Sequence, residues 1–150
     1  MIVNAGDEER VWAPIGPFLR FLNPLEEDPW GCLIRTEDVD LVLAEGDLLA
    51  TPVPIGCEDR WVHAARIAYL VVNGWKDEIV FEPERGWRPG DHLRHMWPVT
   101  DGNHRLAAAI YRGDEEILAI ISGDTEAAMD FLGEVRPEHE PDLADQPSLM

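Results

Sequence analysis

Five consecutive residues have the side chains and spacing to do chemistry: Asp101, Gly102, Asn103, His104 and Arg105, between a predicted strand and a predicted helix. A helix N-terminus carries unpaired backbone N–H groups and the positive end of the helix dipole, so it can hold an anion such as a phosphate. Gly102 lets the backbone approach closely, and Arg105 can bind a phosphate through two parallel hydrogen bonds. The sequence therefore predicts a phosphate site here. The alternative is a structural turn in which Arg105 pairs with Asp101 or a neighbouring acid.

The loop before the motif strand holds further candidate side chains. Glu82 directly follows a predicted strand, and Glu84 and Asp91 lie in the same loop. A carboxylate here could deprotonate a hydroxyl group or help to hold the magnesium of a bound nucleotide, and Glu82 is the preferred catalytic residue. His92 and His95 would suit a metal only on a helix, so no metal site is predicted. The alternative for the whole loop is a solvated surface segment.

The elements that must position the turn alternate between strand and helix. They are predicted as strands at Glu78–Phe81, Met96–Val99 and Ile117–Ile121, and as helices at Asn103–Arg112 and from Asp124 or Thr125 to Leu132. The continuous apolar run at 117–121 is typical of a strand covered on both faces. Gly113 and Gly133 are typical of helix ends.

The segment at 58–73 fits two structures. ARIAYLVV followed by Asn73-Gly74 could be a strand entering a hairpin, or a buried helix that begins after Asp59 and ends at Gly74. We favour the helix, because the pattern runs for about twelve residues from Trp61 and contains several alanines.

The first 57 residues carry no recognisable motif. An apolar cluster at 18–22 predicts one or two helical turns, Thr36 is a plausible N-cap for a helix through Glu45, and Leu48–Ile55 suits an edge strand or a loop. We predict a single domain over residues 1–133 with an unassigned N-terminal extension at 1–57. The acidic, proline-containing segment at 134–150 is predicted to be a disordered tail.

Composition limits the class of protein. A chain of 150 residues with 45% hydrophobic residues predicts one folded domain with a real core. It has no apolar run long enough for a membrane span, and its acidic N-terminus does not resemble a signal peptide, so we expect a cytoplasmic protein with no membrane partner. Cys32 and Cys57 form no metal or disulfide pattern and are predicted to be buried free thiols.

Net charge is the second unusual property. Twelve basic residues against thirty acidic ones give a formal charge of −18, and Lys76 is the one lysine. Binding to free nucleic acid needs a basic surface, so the composition argues against that partner. A strongly acidic chain could instead bind a basic protein partner or mimic a nucleic acid, and the plain alternative is solubility.

The order helix, glycine, strand, loop, strand, DGNHR, helix, glycine, strand resembles the ParB/sulfiredoxin superfamily over roughly residues 60–123. The matching residues are Arg66-Ile67 through Asn73-Gly74, Ile79-Val80, Asp101 through Ala108, Gly113, and Ile117–Ile121. The resemblance implies a mixed α/β fold: a small sheet with packed helices and an anion site at a strand-turn-helix junction. It also implies a ligand, which would be ATP or another nucleoside phosphate, with or without magnesium.

The resemblance assigns roles to the turn residues. Gly102, His104 and Arg105 would contact phosphate, and Asp101 and Asn103 would hold or line the turn. In a reaction, His104 and Arg105 would balance the charge that develops in the transition state. Phosphotransferase or nucleotide-hydrolysing activity is one expectation.

Two differences from the superfamily limit which of its activities this chain is expected to have. Sulfiredoxins carry a catalytic cysteine where this chain has Asn103, and an amide cannot replace a thiol nucleophile, so sulfinic acid reduction is excluded. Partitioning proteins of the superfamily continue into a basic DNA-binding region, whereas this chain ends in an acidic segment. The alternative function is a non-catalytic acidic interaction or inhibitor protein that binds a basic, DNA-handling partner.

Overall fold

A computed structural model describes residues 9–89 and 97–138. Over these residues the chain forms five helices and five strands, which confirms the predicted mixed α/β class. In chain order the elements are β1 (Arg10–Pro14), α1 (Ile15–Phe21), α2 (Thr36–Glu45), α3 (Arg60–Asn73), β2 (Ile79–Phe81), β3 (Val99–Asp101), α4 (Asn103–Arg112), β4 (Glu116–Ile121), α5 (Thr125–Leu132) and β5 (Arg136–Pro137).

The strands form one mixed sheet in the order β3-β2-β4-β1-β5. The central pair, β2 and β4, is parallel, with Val80 beside Ile120, and the other neighbours are antiparallel. Because β3 is at an edge next to β2, the chain leaves the sheet at Asp101 and turns directly into α4. The predicted turn therefore lies at the end of an edge strand.

Helix α4 is enclosed between the sheet and two other helices. Leu106 and Ala109 pack into the core that lines the sheet, whereas Ala107 and Ala108 pack into a second core formed with α2 and α3. All four side chains are fully buried. Alanine suits this position because its small side chain lets neighbouring elements approach closely on both sides, so the N-terminus of α4 is fixed relative to the sheet.

The predicted helices are present with nearly the predicted bounds. Helix α3 replaces the strand alternative for 58–73: the Asp59 side chain accepts a hydrogen bond from Trp61 N, and the chain leaves the helix at Gly74. Helix α5 is capped by Asp124 and followed by Gly133. At α2 the predicted N-cap is wrong by one residue. Thr36 is already helical and Arg35 is the cap, because Asp38 accepts the Arg35 N–H.

Three other features of the structure differ from or add to what the sequence predicts. The motif strand covers Val99–Asp101, and of the described part of the predicted Met96–Val99 only Val99 belongs to it, since its pairing partner Phe81 aligns with Val99. The N-terminal extension is part of the sheet, because β1 lies between β4 and β5. The tail is ordered at its start, where β5 pairs with β1 and Glu138 binds Arg10 through two hydrogen bonds of 2.8 and 2.6 Å.

The remaining sequence predictions concern a loop, the cysteines, the candidates before the motif strand, the tail and membrane spans. Leu48–Ile55 forms a loop and no strand. Cys32 and Cys57 are free but half-buried instead of buried. The candidates Asp91, His92 and His95 and the tail at 139–150 lie outside the described residues. Within the described part of the chain, no helix has the length and apolar character needed to cross a bilayer.

Candidate functional site

The predicted turn opens into a cavity of about 540 Å³. Residues from four parts of the chain line it: the segments Thr100–Arg105, Pro52–Cys57 and Pro29-Trp30, and His63, Arg66 and Leu70 of α3. We call this space the α4 cavity. Its volume is typical of a small-molecule pocket, and all five predicted turn residues contribute to its wall.

The α4 cavity contains a helix start without a side-chain cap. Gly102 occupies the N-cap position and has no side chain, and the first hydrogen bond within the helix runs from Leu106 N to Gly102 O at 2.9 Å. The N–H groups of Asn103, His104 and Arg105 therefore precede the helical ladder. The start of α5 differs, because Asp124 there accepts from two backbone N–H groups.

Gly102 is required by packing as well as by the turn. Its φ of 91° lies in the left-handed region, and a Cβ atom here would come within 2.7 Å of Ile79 Cγ2 and 3.0 Å of Ile79 Cα. The glycine therefore lets the turn lie directly against β2. The sequence predicts that Gly102 lets a ligand approach the backbone, and the structure adds the contact with β2 as a second reason for a glycine.

Asn103 holds the turn. Its side-chain oxygen accepts a 2.7 Å hydrogen bond from Trp97 Nε1, and its amide nitrogen donates to Val99 O at 2.9 Å. The two bonds fasten the start of α4 to the end of the preceding strand. Of the two roles predicted for Asn103, holding or lining the turn, its side chain performs the first.

Arg105 is a largely buried cation with few partners. Its side chain is 18% exposed, and its one ion pair with the described residues is a long 3.4 Å contact with Asp101, which is itself 69% exposed. Arg105 Nε is buried without a hydrogen-bond partner among the described residues. The predicted structural alternative, a pair with Asp101, is therefore present, but most of the guanidinium donors have no partner in the described part of the chain.

Arg66 of α3 supplies a second cation to the α4 cavity. It donates to the carbonyl of Ala50 at 2.8 Å and to that of Leu49 at 3.4 Å, which ties the 48–57 loop to the helix. Burial lowers the pKa of Arg66, and the like charge of Arg105 lowers it further. The effect of Arg105 on the pKa of Arg66 is expected, because both arginines line the same cavity.

His104 is linked to a histidine that the sequence did not single out. His104 Nε2 lies 2.8 Å from His63 Nδ1, and His63 Nε2 lies 2.7 Å from the carbonyl oxygen of Cys57. Trp30 stacks on both imidazoles, with ring centroids 4.7 Å from His104 and 5.1 Å from His63. The indole ring covers the pair and fixes the plane of both rings.

Burial keeps His104 uncharged. It lowers the pKa of His104 to about 3, with further lowering by His63, Arg66 and Arg105. The ring is therefore neutral near pH 7. The predicted role of His104 beside Arg105 would therefore be one of hydrogen bonding, because a neutral imidazole contributes hydrogen bonds and no net charge.

The remaining wall of the α4 cavity is apolar. It comes from the segments 29–30 and 52–56, which include Trp30, Val53 and Ile55, and Ile55 is fully exposed. These residues belong to the part of the chain for which the sequence offered no role. The cavity thus has a cationic side from α3 and α4 and an apolar side from the N-terminal loops.

Glu82, the predicted catalytic carboxylate, is not brought to the α4 cavity. It accepts a 3.2 Å hydrogen bond from Thr100 Oγ1 and lines a neighbouring cavity of about 610 Å³ together with Glu84 and Asp124. Thr100 contributes to the walls of both cavities. The structure therefore brings His104 and Arg105 together with Asp101, Gly102 and Asn103, and separates Glu82 from them.

Three site residues were missed by sequence reasoning: Trp30, His63 and Arg66. His63 and Arg66 lie three apart on α3, a spacing that puts two side chains on one helix face, so their polarity within an apolar pattern was an available signal. Trp30 had no such signal. Its position depends on a loop that only the folded chain brings over the histidines.

Comparisons with protein-family models, with curated proteins and with solved structures each find no match to this chain. The resemblance to the ParB/sulfiredoxin superfamily therefore stays a prediction from the quoted residues.

Proposed function

We propose that the α4 cavity binds a nucleoside phosphate, with its phosphate at the N-terminus of α4. One observation carries this proposal: the uncapped helix start and two arginines, Arg66 and Arg105, line the same cavity. Backbone N–H groups and guanidinium groups are the donors that bind phosphate oxygens in proteins. Asp101 is the single acidic residue among the described residues that line the cavity, and it is mostly exposed.

Arg105 supports the proposal because, among the described residues, its guanidinium group makes one hydrogen bond, the long 3.4 Å contact with Asp101. Its Nε is sealed within the protein, so a phosphate in the cavity would bind the terminal guanidinium nitrogens. The apolar wall at Trp30, Val53 and Ile55 would take the less polar part of the ligand, such as a sugar edge or a base. A nucleoside phosphate has both an anionic phosphate end and a less polar nucleoside end.

Local charge also favours an anion here in spite of the net charge of −18. The α4 cavity has two arginines against one acid. The neighbouring cavity has Glu82, Glu84, Asp124 and Glu126 against Arg85. The acidic surface therefore does not extend over the wall of the α4 cavity, and a phosphate would experience mainly the nearby cations because water and salt screen distant charges.

The proposed function is binding alone. It does not include phosphotransfer or hydrolysis of the nucleotide, which stay predictions, because Glu82 lies in the other cavity and His104 is neutral. Among the described residues, no group of three or more His, Cys, Asp or Glu side chains is arranged to hold a metal ion, so the proposal includes no magnesium held by the protein.

Isothermal titration calorimetry with ATP, ADP and CTP, each with and without magnesium, tests the proposal. We expect at least one nucleotide to bind the wild type, and Arg105→Gln to weaken that binding by about 10- to 100-fold, since hydrogen bonds to charged groups contribute about 1.5–3 kcal/mol. Arg20→Gln is the matched control. It removes the same charge from α1, outside the α4 cavity.

Either of two results would overturn the proposal. One is a folded wild-type protein that binds none of these nucleotides. The other is equal weakening by Arg105→Gln and Arg20→Gln, which would show that net charge and not the site controls binding. Capture of a basic protein partner that is insensitive to Arg105→Gln would then favour the acidic interaction protein.

A further inference from the structure

His63 and His104 form a hydrogen-bond chain whose direction can be worked out. The carbonyl oxygen of Cys57 can only accept, so His63 Nε2, 2.7 Å away, must carry a hydrogen and donate it. A neutral His63 then has a bare Nδ1, which accepts from His104 Nε2 at 2.8 Å. The chain therefore runs from His104 through His63 to the Cys57 carbonyl.

The same direction fixes the other nitrogen of His104. A neutral imidazole carries one hydrogen, and His104 gives its hydrogen to His63, so His104 Nδ1 is left with a lone pair. Among the described residues His104 Nδ1 has no hydrogen-bond partner, and it is not sealed from solvent, since His104 lines the α4 cavity. His104 therefore presents an acceptor to the cavity beside the phosphate-binding donors.

We infer that His63 is a positioning residue that holds His104 as a neutral acceptor, so that the α4 cavity selects a phosphate ligand with a hydroxyl donor. The inference rests on the proposed function, because it places the hydroxyl of that same nucleoside phosphate at His104. An ionised phosphate oxygen cannot take this place, since it only accepts. Fully ionised inorganic polyphosphate has no hydroxyl and would use only Arg105 and the helix N–H groups.

The surroundings keep His104 in this state. Burial disfavours a positive charge on the ring most, and Arg66 from α3 and Arg105 from its own helix add to this effect. Trp30 covers the His63–His104 pair. His63 is 2% exposed, so water does not compete for its Nδ1. The acceptor at His104 is therefore held by a buried partner and by the charges beside it.

Nitrogen-15 spectra of the histidine rings test this arrangement without any ligand. At pH 8 we expect the hydrogen of His104 to lie on Nε2, with a bare Nδ1. A hydrogen on His104 Nδ1 would overturn the inference. This measurement uses the wild-type chain, so it does not depend on the stability of any variant.

Two substitutions of His63 separate positioning from packing. His63→Asn places an amide oxygen near the position of Nδ1 and is expected to keep the His104 hydrogen on Nε2. His63→Leu removes the acceptor and is expected to give a mixture of the two His104 tautomers. A His104 tautomer that is unchanged in a folded His63→Leu protein would overturn the role of His63. If that variant does not fold, the wild-type and His63→Asn spectra decide.

Binding of two probes tests the selection of a hydroxyl. We expect His63→Leu to weaken ATP by about two- to tenfold, the value of one neutral hydrogen bond, and to leave inorganic tripolyphosphate unchanged. We expect His63→Asn to restore most of the affinity for ATP. Equal weakening of both probes would overturn the selection. Failure of both probes to bind the wild type would overturn the proposed function, and the ring spectra would still decide the role of His63.

Discussion

Single residues of the DGNHR turn divide between holding the structure and facing the cavity. Gly102 lies against Ile79 and Asn103 fastens the turn to Val99, so both are used by the fold itself. Arg105 and His104 keep unused hydrogen-bonding atoms. From sequence these residues look alike, because each is polar or glycine in a turn. What separates them is the position of β2 and of the strand end, which local sequence does not contain.

Gly102→Ala is expected to destabilise the fold more than Gly113→Ala does. Both glycines have positive φ, so both variants incur backbone strain of about 1–2 kcal/mol, but only a Cβ at Gly102 would meet other atoms. The clash with Ile79 adds about 1–3 kcal/mol of overpacking. Urea denaturation of the two variants measures the difference. Equal free energies of unfolding would contradict the close contact with β2.

The pKa of His104 predicts a specific pH dependence of stability. It is about 3 in the folded protein, against an ordinary value of 6.5, because burial disfavours the charged ring. Below pH 6.5 the unfolded chain therefore binds a proton that the folded chain does not. As the pH falls, the free energy of unfolding of the wild type should therefore fall relative to that of His104→Gln, by up to about 1 kcal/mol per pH unit. Denaturation of both proteins from pH 7 to 5 measures this, and a constant difference would contradict it.

At the level of elements, α4 connects the cavity to both cores. Its sequence pattern and bounds were predictable, because Ala-rich helical spacing and Gly113 are local signals. The enclosure of α4 on two sides was not, since it depends on α2 and α3 packing against the face opposite the sheet. The short strands β1 and β5 were missed for the same reason: five and two residues become strands through pairing, not through propensity.

Ala107→Leu is expected to destabilise the protein by about 1–3 kcal/mol, because Ala107 is fully buried between α4 and the helical core and a larger side chain cannot be accommodated there. Ala44→Leu is the matched control, as Ala44 is exposed on α2 and should change stability by about 0.5 kcal/mol or less. Thermal or urea denaturation distinguishes the two. Similar effects of both variants would contradict the enclosed position of α4.

At the level of the whole molecule, the two ends of the described chain meet. Strand β5 pairs with β1, and Glu138 binds Arg10, which also contacts Glu78 at 3.4 Å. Composition alone predicted disorder from residue 134, because acidic and proline-rich segments rarely fold by themselves. The start of this segment nevertheless forms β5, because an edge of β1 is available for pairing. No local pattern in the segment indicates which strand it will pair with.

Ending the chain after Gly133 is therefore expected to lower stability, since it removes β5 and the Glu138–Arg10 pair. Two or three lost backbone hydrogen bonds correspond to about 2 kcal/mol, or a melting temperature lower by about 4–8 °C for a chain of this size. A chain ending after Glu138 is the control, because it keeps β5 and the Glu138–Arg10 pair. Equal melting of these two shortened chains would contradict a stabilising role for β5.

The most direct test of phosphate binding at α4 is a backbone amide NMR titration with ATP. We expect the N–H signals of Asn103, His104 and Arg105 to shift most, because these groups begin an uncapped helix. Those of Glu126 and Ala127 are the internal control, since Asp124 already accepts from them at the start of α5. Shifts confined to the α4 start would support the site. No shift there at millimolar ATP, or equal shifts at both helix starts, would contradict it.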